Sequence, residues 1–342
     1  MPTMFNNHLR QVLLLGLVIL LGSMLVVELY VFLPGFLGGV TLYILLRKWY
    51  QKLTIQKGWP KGLTAFLFII SSIIVITIPI YFSVLLISPK IYELINNQQA
   101  VVLGLETFSK KLEALTGQQF FTITSAESIA KKIASYIPTL LNSTANVLTN
   151  LIMLFFLLYY LLYSGNAVEK YLDHIIPLKP ENVAKLAHET DLMIRANAIG
   201  IPTICLVQGI FAAIGYLIFG VKDWGMWGFV TGVFAFFPLI GTMIVWVPLV
   251  IYLYSIDQNV TATGLTIYSF VVTGNVDYIT RLELLKKIGN VHPMITVLGV
   301  IVGLQLFGFM GLIFGPLLIS YFIILMKIYV NEFTIKPDAK VP

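Results

Sequence analysis

The length of the uncharged stretches in the last third of the chain most constrains the fold. Trp224 to Ile256 runs 33 residues, and Ile288 to Met326 runs 39 residues, without a formal charge. About 18 consecutive apolar residues already mark a membrane-spanning helix. As single straight helices, the stretches would be about 50 Å and 58 Å long, against a hydrocarbon core of about 30 Å. Each stretch is therefore predicted to lie in a membrane and to be broken near its middle.

The composition of the whole chain also indicates a membrane environment. Of its 342 residues, 58% are hydrophobic and 11% are charged, whereas a soluble domain carries about 25% charged residues. We expect an all-α polytopic integral membrane protein with about eight membrane segments, the C-terminal ones broken or re-entrant, and an extracytoplasmic helical region. The net charge of +6 fits basic loops that face lipid headgroups, so no nucleic-acid partner is expected.

The order of apolar and polar segments predicts six regions. Pro34-Gly35 is expected to divide the first apolar run into a membrane hairpin, and the basic loop Arg47–Lys61, which has no acidic residue, is expected to be cytoplasmic. Alternation then places both termini in the cytoplasm. The expected regions are three N-terminal spans (1–88), an extracytoplasmic helical region (89–146), a fourth span (147–163), a cytoplasmic amphipathic linker helix (164–197), a C-terminal transport core (198–330, with an interruption at Pro202) and a cytoplasmic tail (331–342).

Helix-breaking residues concentrate in the two long uncharged stretches. In lipid, such breaks are tolerated where the freed backbone groups face protein or a water-filled cavity, and paired broken segments mark transporter binding sites. The alternative is plain packing, because glycines four residues apart allow helices to approach closely. The candidate translocation residues are Pro238, Gly241, Pro248, Gly303, Gly308, Gly311, Gly315 and Pro316.

Few polar side chains lie inside the apolar segments. Glu28 is the one acid in an early span, and it is either an interfacial residue or a coupling-ion or proton site. Asp277 and Arg281 are either a functional pair or a solvated pair at the membrane boundary. The amides of Gln208, Asn275 and Gln305 are either hydrogen-bond partners between helices or ligands for a transported species. These six residues are the coupling or polar candidates.

Chemistry other than transport has no support in the sequence. The single cysteine, Cys205, excludes a disulfide framework, and the four histidines are scattered without metal-ligand spacing. Motifs of a nucleotide-driven pump, an intramembrane protease or a redox enzyme are absent from the sequence. We therefore expect no enzymatic activity, no metal and no cofactor.

Two C-terminal segments together resemble one family. FFPLIGTMIVWVPLVIYL (236–253) and NVDYITRLELLKKIGNVHPMITVLGVIVGLQLFGFMGLIFGPLL (275–318) are similar to the AI-2E family of bacterial membrane proteins. The matching positions are Pro238, Ile240, Gly241, Trp246, Pro248, Asp277, His292, Pro293, Gly303, Phe307, Gly308, Gly311, Gly315 and Pro316. The chain departs from the pattern at Tyr278 and Leu282, where the family often has Asn and Pro.

The resemblance implies a transporter of the bacterial inner membrane that forms homo-oligomers. Its cargo would be a small solute such as autoinducer-2, or sodium and protons exchanged by antiport. We thus expect a secondary transporter or exporter coupled to an ion gradient. Two alternatives stay open: a passive channel at the same site, and a membrane scaffold that binds a partner through residues 101–141.

Overall fold

The computed structural model describes residues 2–96, 113, 144–237, 240–276, 278–280, 283 and 293–333. Over these residues the regular elements are all helices. In chain order they are α1 (Pro2–Leu29), α2 (Leu33–Gln51), α3 (Lys61–Asn96), α4 (Thr144–Ile175), α5 (Pro180–Ile218), α6 (Trp224–Phe234), α7 (Met243–Ser255), α8 (Asn259–Tyr268), α9 (Pro293–Phe307) and α10 (Gly311–Phe333).

Five described helical stretches are long and apolar enough to cross a membrane. They are Leu9–Gln56, Lys61–Leu86, Val147–Ile175, Pro180–Ile218 and Gly311–Val330. The helices of the 224–256 stretch, together with α8 and α9, are shorter. The all-α polytopic architecture is thus confirmed, while several of the expected eight segments are too short to be simple spans.

The N-terminal run differs from the expected hairpin. The backbone stays right-handed helical at Leu29, at Phe32 and at Leu33, and a short 3₁₀ turn (Tyr30–Phe32) joins α1 to α2. Pro34 lies in the first turn of α2, where its missing N–H leaves no hydrogen bond unmade. The Pro34-Gly35 pair, which suggests a chain reversal in the sequence, therefore lies within a continuous helical run of 48 residues, Leu9–Gln56.

The polar segment 164–197 does not form a separate linker helix. α4 continues unbroken to Ile175, and α5 begins at Pro180 and continues through Pro202. The apolar residues of this segment pack inside the protein, since Met193 and Ile194 are 6% and 0% exposed. The segment is therefore the facing ends of two long helices, joined by a turn at 176–179.

α2 and α4 run side by side in the same direction. Gly35 contacts the backbone of Asn150, and Gly39 contacts that of Leu154. One end of this pair therefore lies near residues 35 and 150. At the other end Arg47 pairs with Glu169.

α5 connects two apolar cores. Met193 and Ile194 near its start belong to a core formed with α2, α3, α4 and α10. Ala212 and Tyr216 near its end belong to a second core formed with α7 and α8. Any site between the two cores is therefore built around the middle of α5.

Part of the expected extracytoplasmic region lies outside the described residues. α3 continues through Pro89 to Asn96, so the helix passes the expected boundary at residue 88, although its stretch suited to crossing a membrane is Lys61–Leu86. The amphipathic helices expected over 101–141 are not among the described residues, and neither is most of the tail at 331–342.

Candidate functional site

Glycine-to-glycine contacts hold α9 and α10 together as a hairpin. A Cβ atom added to Gly315 would overlap the backbone of Gly299, and one added to Gly311 would overlap that of Gly303. These residues, all buried, set the two backbones in direct contact. Gly303, Gly311 and Gly315 therefore serve close packing, which was one of the two interpretations open from the sequence.

The break in this hairpin lies at Gly308. Gly308 has φ +57, a left-handed conformation, and begins the 3₁₀ turn Gly308–Met310 between α9 and α10. A side chain there would meet nothing within 4 Å, so the backbone conformation is what requires glycine. Pro316 lies inside α10, beyond the break.

The other uncharged stretch also forms two helices with a turn between them. α6 ends at Phe234, α7 begins at Met243, and Gly241 in the turn is buried. The Gly241 N–H donates to the Phe237 carbonyl at 3.2 Å, and a Cβ on Gly241 would overlap the Phe234 and Phe237 carbonyls. Only glycine therefore fits there. Pro248 lies inside α7, and Pro238 is outside the described residues.

α6 packs on the second half of α5, in the opposite direction. Gly228 contacts Ala213, and Gly232 contacts both Gly209 and the Cys205 backbone. The Tyr216 hydroxyl donates to Thr231 Oγ1 at 2.8 Å. By this register, α6 ends opposite Cys205, near the middle of α5.

α10 packs on the first half of α5, also in the opposite direction. Asn197 Nδ2 donates to the Ile313 carbonyl at 3.3 Å, and the hydroxyls of Thr190 and Tyr321 are hydrogen-bonded. Continuing this register places the turn Gly308–Met310 opposite the turn of α5 that contains Pro202. The two helix breaks thus approach the same central stretch of α5 from its two ends.

The decisive comparison covers nearly the whole chain. The model of a family described as AI-2E family transporter matches residues 13–331. The chain belongs to the AI-2E transporter family.

Individual relatives agree with this assignment. The chain is 30% identical over 166 residues to a protein of Aquifex aeolicus named "Putative transport protein", covering 48% of this chain and 47% of the relative. It is 29% identical over 119 residues to "Putative transport protein MJ1177" of Methanocaldococcus jannaschii, covering 34% and 36%. A Helicobacter pylori protein, also named "Putative transport protein", is 25% identical over 179 residues, covering 49% and 51%. This AI-2E protein thus spans about half or less of the length of these relatives.

The structure separates the three amide candidates of this AI-2E protein. Asn275 is exposed, and its Nδ2 donates to the Val271 carbonyl at 2.5 Å. Gln305 is exposed on α9. Gln208 is fully buried, and neither amide atom has a hydrogen-bond partner among the described residues. An unsatisfied buried polar group costs about 1–3 kcal/mol, so Gln208 is the amide whose position needs an explanation.

The charged candidates are not brought together in the described part of the chain. Glu28 is exposed on α1, which contacts little beyond the adjoining 3₁₀ turn. Asp277 and Arg281 lie outside the described residues. No group of three His, Cys, Asp or Glu side chains among the described residues is arranged to hold a metal.

A polar network that the sequence did not indicate joins α2, α4 and α5. The Arg47 guanidinium donates to Glu169 at 2.6 Å and to Asp191 at 3.1 Å. Arg195 donates to Asp191 at 3.0 Å and also to the Ile44 carbonyl. The Tyr43 hydroxyl donates to Glu169 at 3.0 Å.

Only one contact of this network carried a sequence signal. The spacing of Asp191 and Arg195 predicts a pair within a helix. Arg47 and Glu169 are separated by more than a hundred positions, and only the parallel packing of α2 with α4 joins them. The network joins the first half of α5, on which α10 packs, to α2 and α4.

Proposed function

We propose that this AI-2E family protein is a secondary transporter that moves a small solute or ion between the turn at Gly241 and the turn 308–310. One observation carries the proposal: the two helix breaks converge on the middle of α5 from opposite ends. Backbone groups freed at helix breaks inside a membrane need protein or water partners. Paired broken helices at the membrane midplane are a recurring form of transporter binding site.

The proposal includes a membrane placement. With Arg47 at the cytoplasmic boundary, Gly38 lies about 14 Å deeper along α2 at 1.5 Å per residue. The side chain of Met310 approaches the Cβ position of Gly38 at 3.5 Å. The turn of the α9–α10 hairpin would then lie inside a core about 30 Å thick and short of its far face. This depth supports a re-entrant hairpin that enters from the cytoplasmic side.

The same placement orients the other segments. α6 and α7 would form a second re-entrant hairpin from the extracytoplasmic side, since α6 starts at the far end of α5 and ends near its middle. The basic loop Arg47–Lys61 and the end of α10 would be cytoplasmic, whereas the unbroken helical run from α1 into α2 would put the start of α1 on the other side of the membrane. The membrane would be the bacterial inner membrane, as the family resemblance implies.

We also propose that the protein is a homo-oligomer. In support, the large apolar side chains of α1 from Leu9 to Leu29 are exposed, and a Cβ atom added to Gly16 or Gly22 would meet nothing within 4 Å. Such a surface suits lipid or a second copy of the chain.

Transport and its coupling are tested together in liposomes. Purified protein is reconstituted, a sodium gradient is imposed, and internal pH is followed for the wild type, Glu28→Gln and Asp277→Asn. Sodium-driven proton movement that is lost in either variant supports an antiporter and identifies its coupling acid. If neither sodium and protons nor uncharged solutes cross faster than in protein-free liposomes, the transporter proposal fails.

A further inference from the structure

The amide of Gln208, which has no hydrogen-bond partner among the described residues, lies on α5 beside the end of α6. Gln208 is 0% exposed. It is one residue before Gly209, which contacts Gly232 near the end of α6. It is also one helical turn before Ala212, on the buried stripe of α5 that faces α7 and α8. The amide therefore lies on the inward stripe just beyond the edge of the second apolar core.

A segment of unusual backbone reaches the same level from α8. Gly264 contacts Phe219, and the Tyr268 hydroxyl donates to the Phe211 carbonyl at 2.9 Å. α8 therefore runs antiparallel to α5, and continuing this register places Thr273 at the level of Gln208. The helix is π-type over Ser269–Thr273, a form that occurs mostly as single turns within α-helices and is frequent at functional sites.

The π-helical turn adds buried hydroxyls beside the amide. Ser269 and Thr273 are 3% and 2% exposed, and the turn packs against α5. Buried polar side chains are rare in a membrane protein and usually face the interior or a cavity. The Gln208 amide and the Thr273 hydroxyl at one level, with the Ser269 hydroxyl about one helical turn away, form a hydrogen-bonding set among otherwise largely apolar side chains.

The charge of this layer restricts what it can bind. The chain carries no charged side chain over 196–221, over 224–256 or over 258–276. Asp277 follows directly, outside the described residues. An ion held by the described groups would have no countercharge, whereas an uncharged group needs only a donor and an acceptor. A primary amide supplies one of each.

We propose that Gln208, with the hydroxyl of Thr273, binds an uncharged hydrogen-bonding group of the transported solute, such as a hydroxyl or a carboxamide. The inference rests on the proposed transport function and adds the chemical class of the cargo. A bound solute would satisfy the Gln208 amide, which would explain why this buried amide of α5 has no partner among the described residues.

The first test separates binding from structure. Gln208→Met keeps the size of the side chain and removes both hydrogen-bonding atoms. A structural role for the amide predicts a lower melting temperature in this variant. The proposal predicts a melting temperature equal to that of the wild type or roughly 2–4 °C higher, because an unsatisfied buried group is removed.

The second test measures cargo. Proteoliposomes are assayed for uptake of radiolabelled erythritol, ribose and urea as uncharged probes, and of sodium as the charged probe. We expect uptake of at least one uncharged probe to fall roughly tenfold or more in Gln208→Met and to fall in Thr273→Val. The matched control is Thr203→Val, which removes a hydroxyl from the exposed face of α5, and it should retain wild-type uptake.

The outcomes distinguish this inference from the proposed function. Uptake of sodium alone, or uncharged uptake that Gln208→Met leaves unchanged, overturns the binding role of Gln208 and leaves transport standing. A stable Gln208→Met protein that has lost uncharged uptake supports both. The absence of uptake of every probe, relative to protein-free liposomes, counts against both.

Discussion

Gly315→Ala tests the packing of the α9–α10 hairpin. The added Cβ would lie 2.6 Å from the Gly299 carbonyl carbon and 2.9 Å from Gly303 Cα. Favourable carbon contacts are about 3.5–4.0 Å, so α9 must move by about 1 Å. Both neighbours are backbone atoms and cannot turn aside. Overpacking of this kind costs about 1–3 kcal/mol, which corresponds to a fall in melting temperature of roughly 2–8 °C.

The assay is thermal unfolding of the purified protein in detergent, followed by uptake in proteoliposomes. Alanine favours a helix over glycine by about 1 kcal/mol, and Gly22→Ala controls for this gain because nothing lies within 4 Å of its Cβ position. We expect Gly315→Ala to melt lower than Gly22→Ala and to lose uptake. If the two variants melt alike and transport alike, the close contact between α9 and α10 does not exist as described.

Three further predictions follow from single contacts. Gly308→Ala should lower stability by about 1–2 kcal/mol because residue 308 has a left-handed backbone conformation. Gly308→Asn should lose less stability than Gly308→Ala. Melting temperatures of Gly308→Ala and the wild type that are equal would contradict the left-handed conformation of the turn. Asn150 accepts from the Gly35 N–H at 2.8 Å and donates to the Val31 carbonyl at 3.0 Å, so Asn150→Leu should cost about 1–3 kcal/mol in chemical unfolding, and an unchanged midpoint would refute the bridge between α4 and the start of α2. Arg47→Met and Glu169→Gln should show a coupling of about 0.5–1 kcal/mol in a double-mutant cycle, since these side chains are 27% and 41% exposed; additive effects would show that the pair is not formed.

The sequence predicted the broken helices because each uncharged stretch is too long to cross a membrane as one straight helix. Uncharged stretches longer than a membrane is thick must bend, and both do. The glycine spacings predicted close packing as one of two interpretations, and the structure supports it at Gly303, Gly311 and Gly315. The left-handed residue Gly308 could not be singled out from its neighbours, because only backbone geometry distinguishes it.

Prolines were poorer guides than glycines. Pro202, Pro248 and Pro316 all lie inside continuous helices. One missing hydrogen bond is tolerated in a membrane helix because neighbouring groups satisfy the freed carbonyl. Pro34 and Pro180 instead start helices. Of these five prolines, two mark the beginning of a helix and three lie within a helix without ending it.

Contacts between distant segments had no sequence signal. The pairing of Arg47 with Glu169 depends on the parallel course of α2 and α4. The level that Gln208 shares with Thr273 depends on the register of α5 with α8. The residue types were recognisable from the sequence, but the juxtapositions required the three-dimensional packing.

The central claim is that two hairpins enter the membrane from opposite sides and meet at α5. It is tested most directly by labelling single cysteines with a membrane-impermeant thiol reagent in oriented vesicles. The cysteines are placed at exposed residues that start the hairpins, Gly225 of α6 and Met294 of α9, in a Cys205→Ala background. The account predicts labelling of position 225 only from the extracytoplasmic side and of position 294 only from the cytoplasmic side. Labelling of both positions from the same side would contradict it.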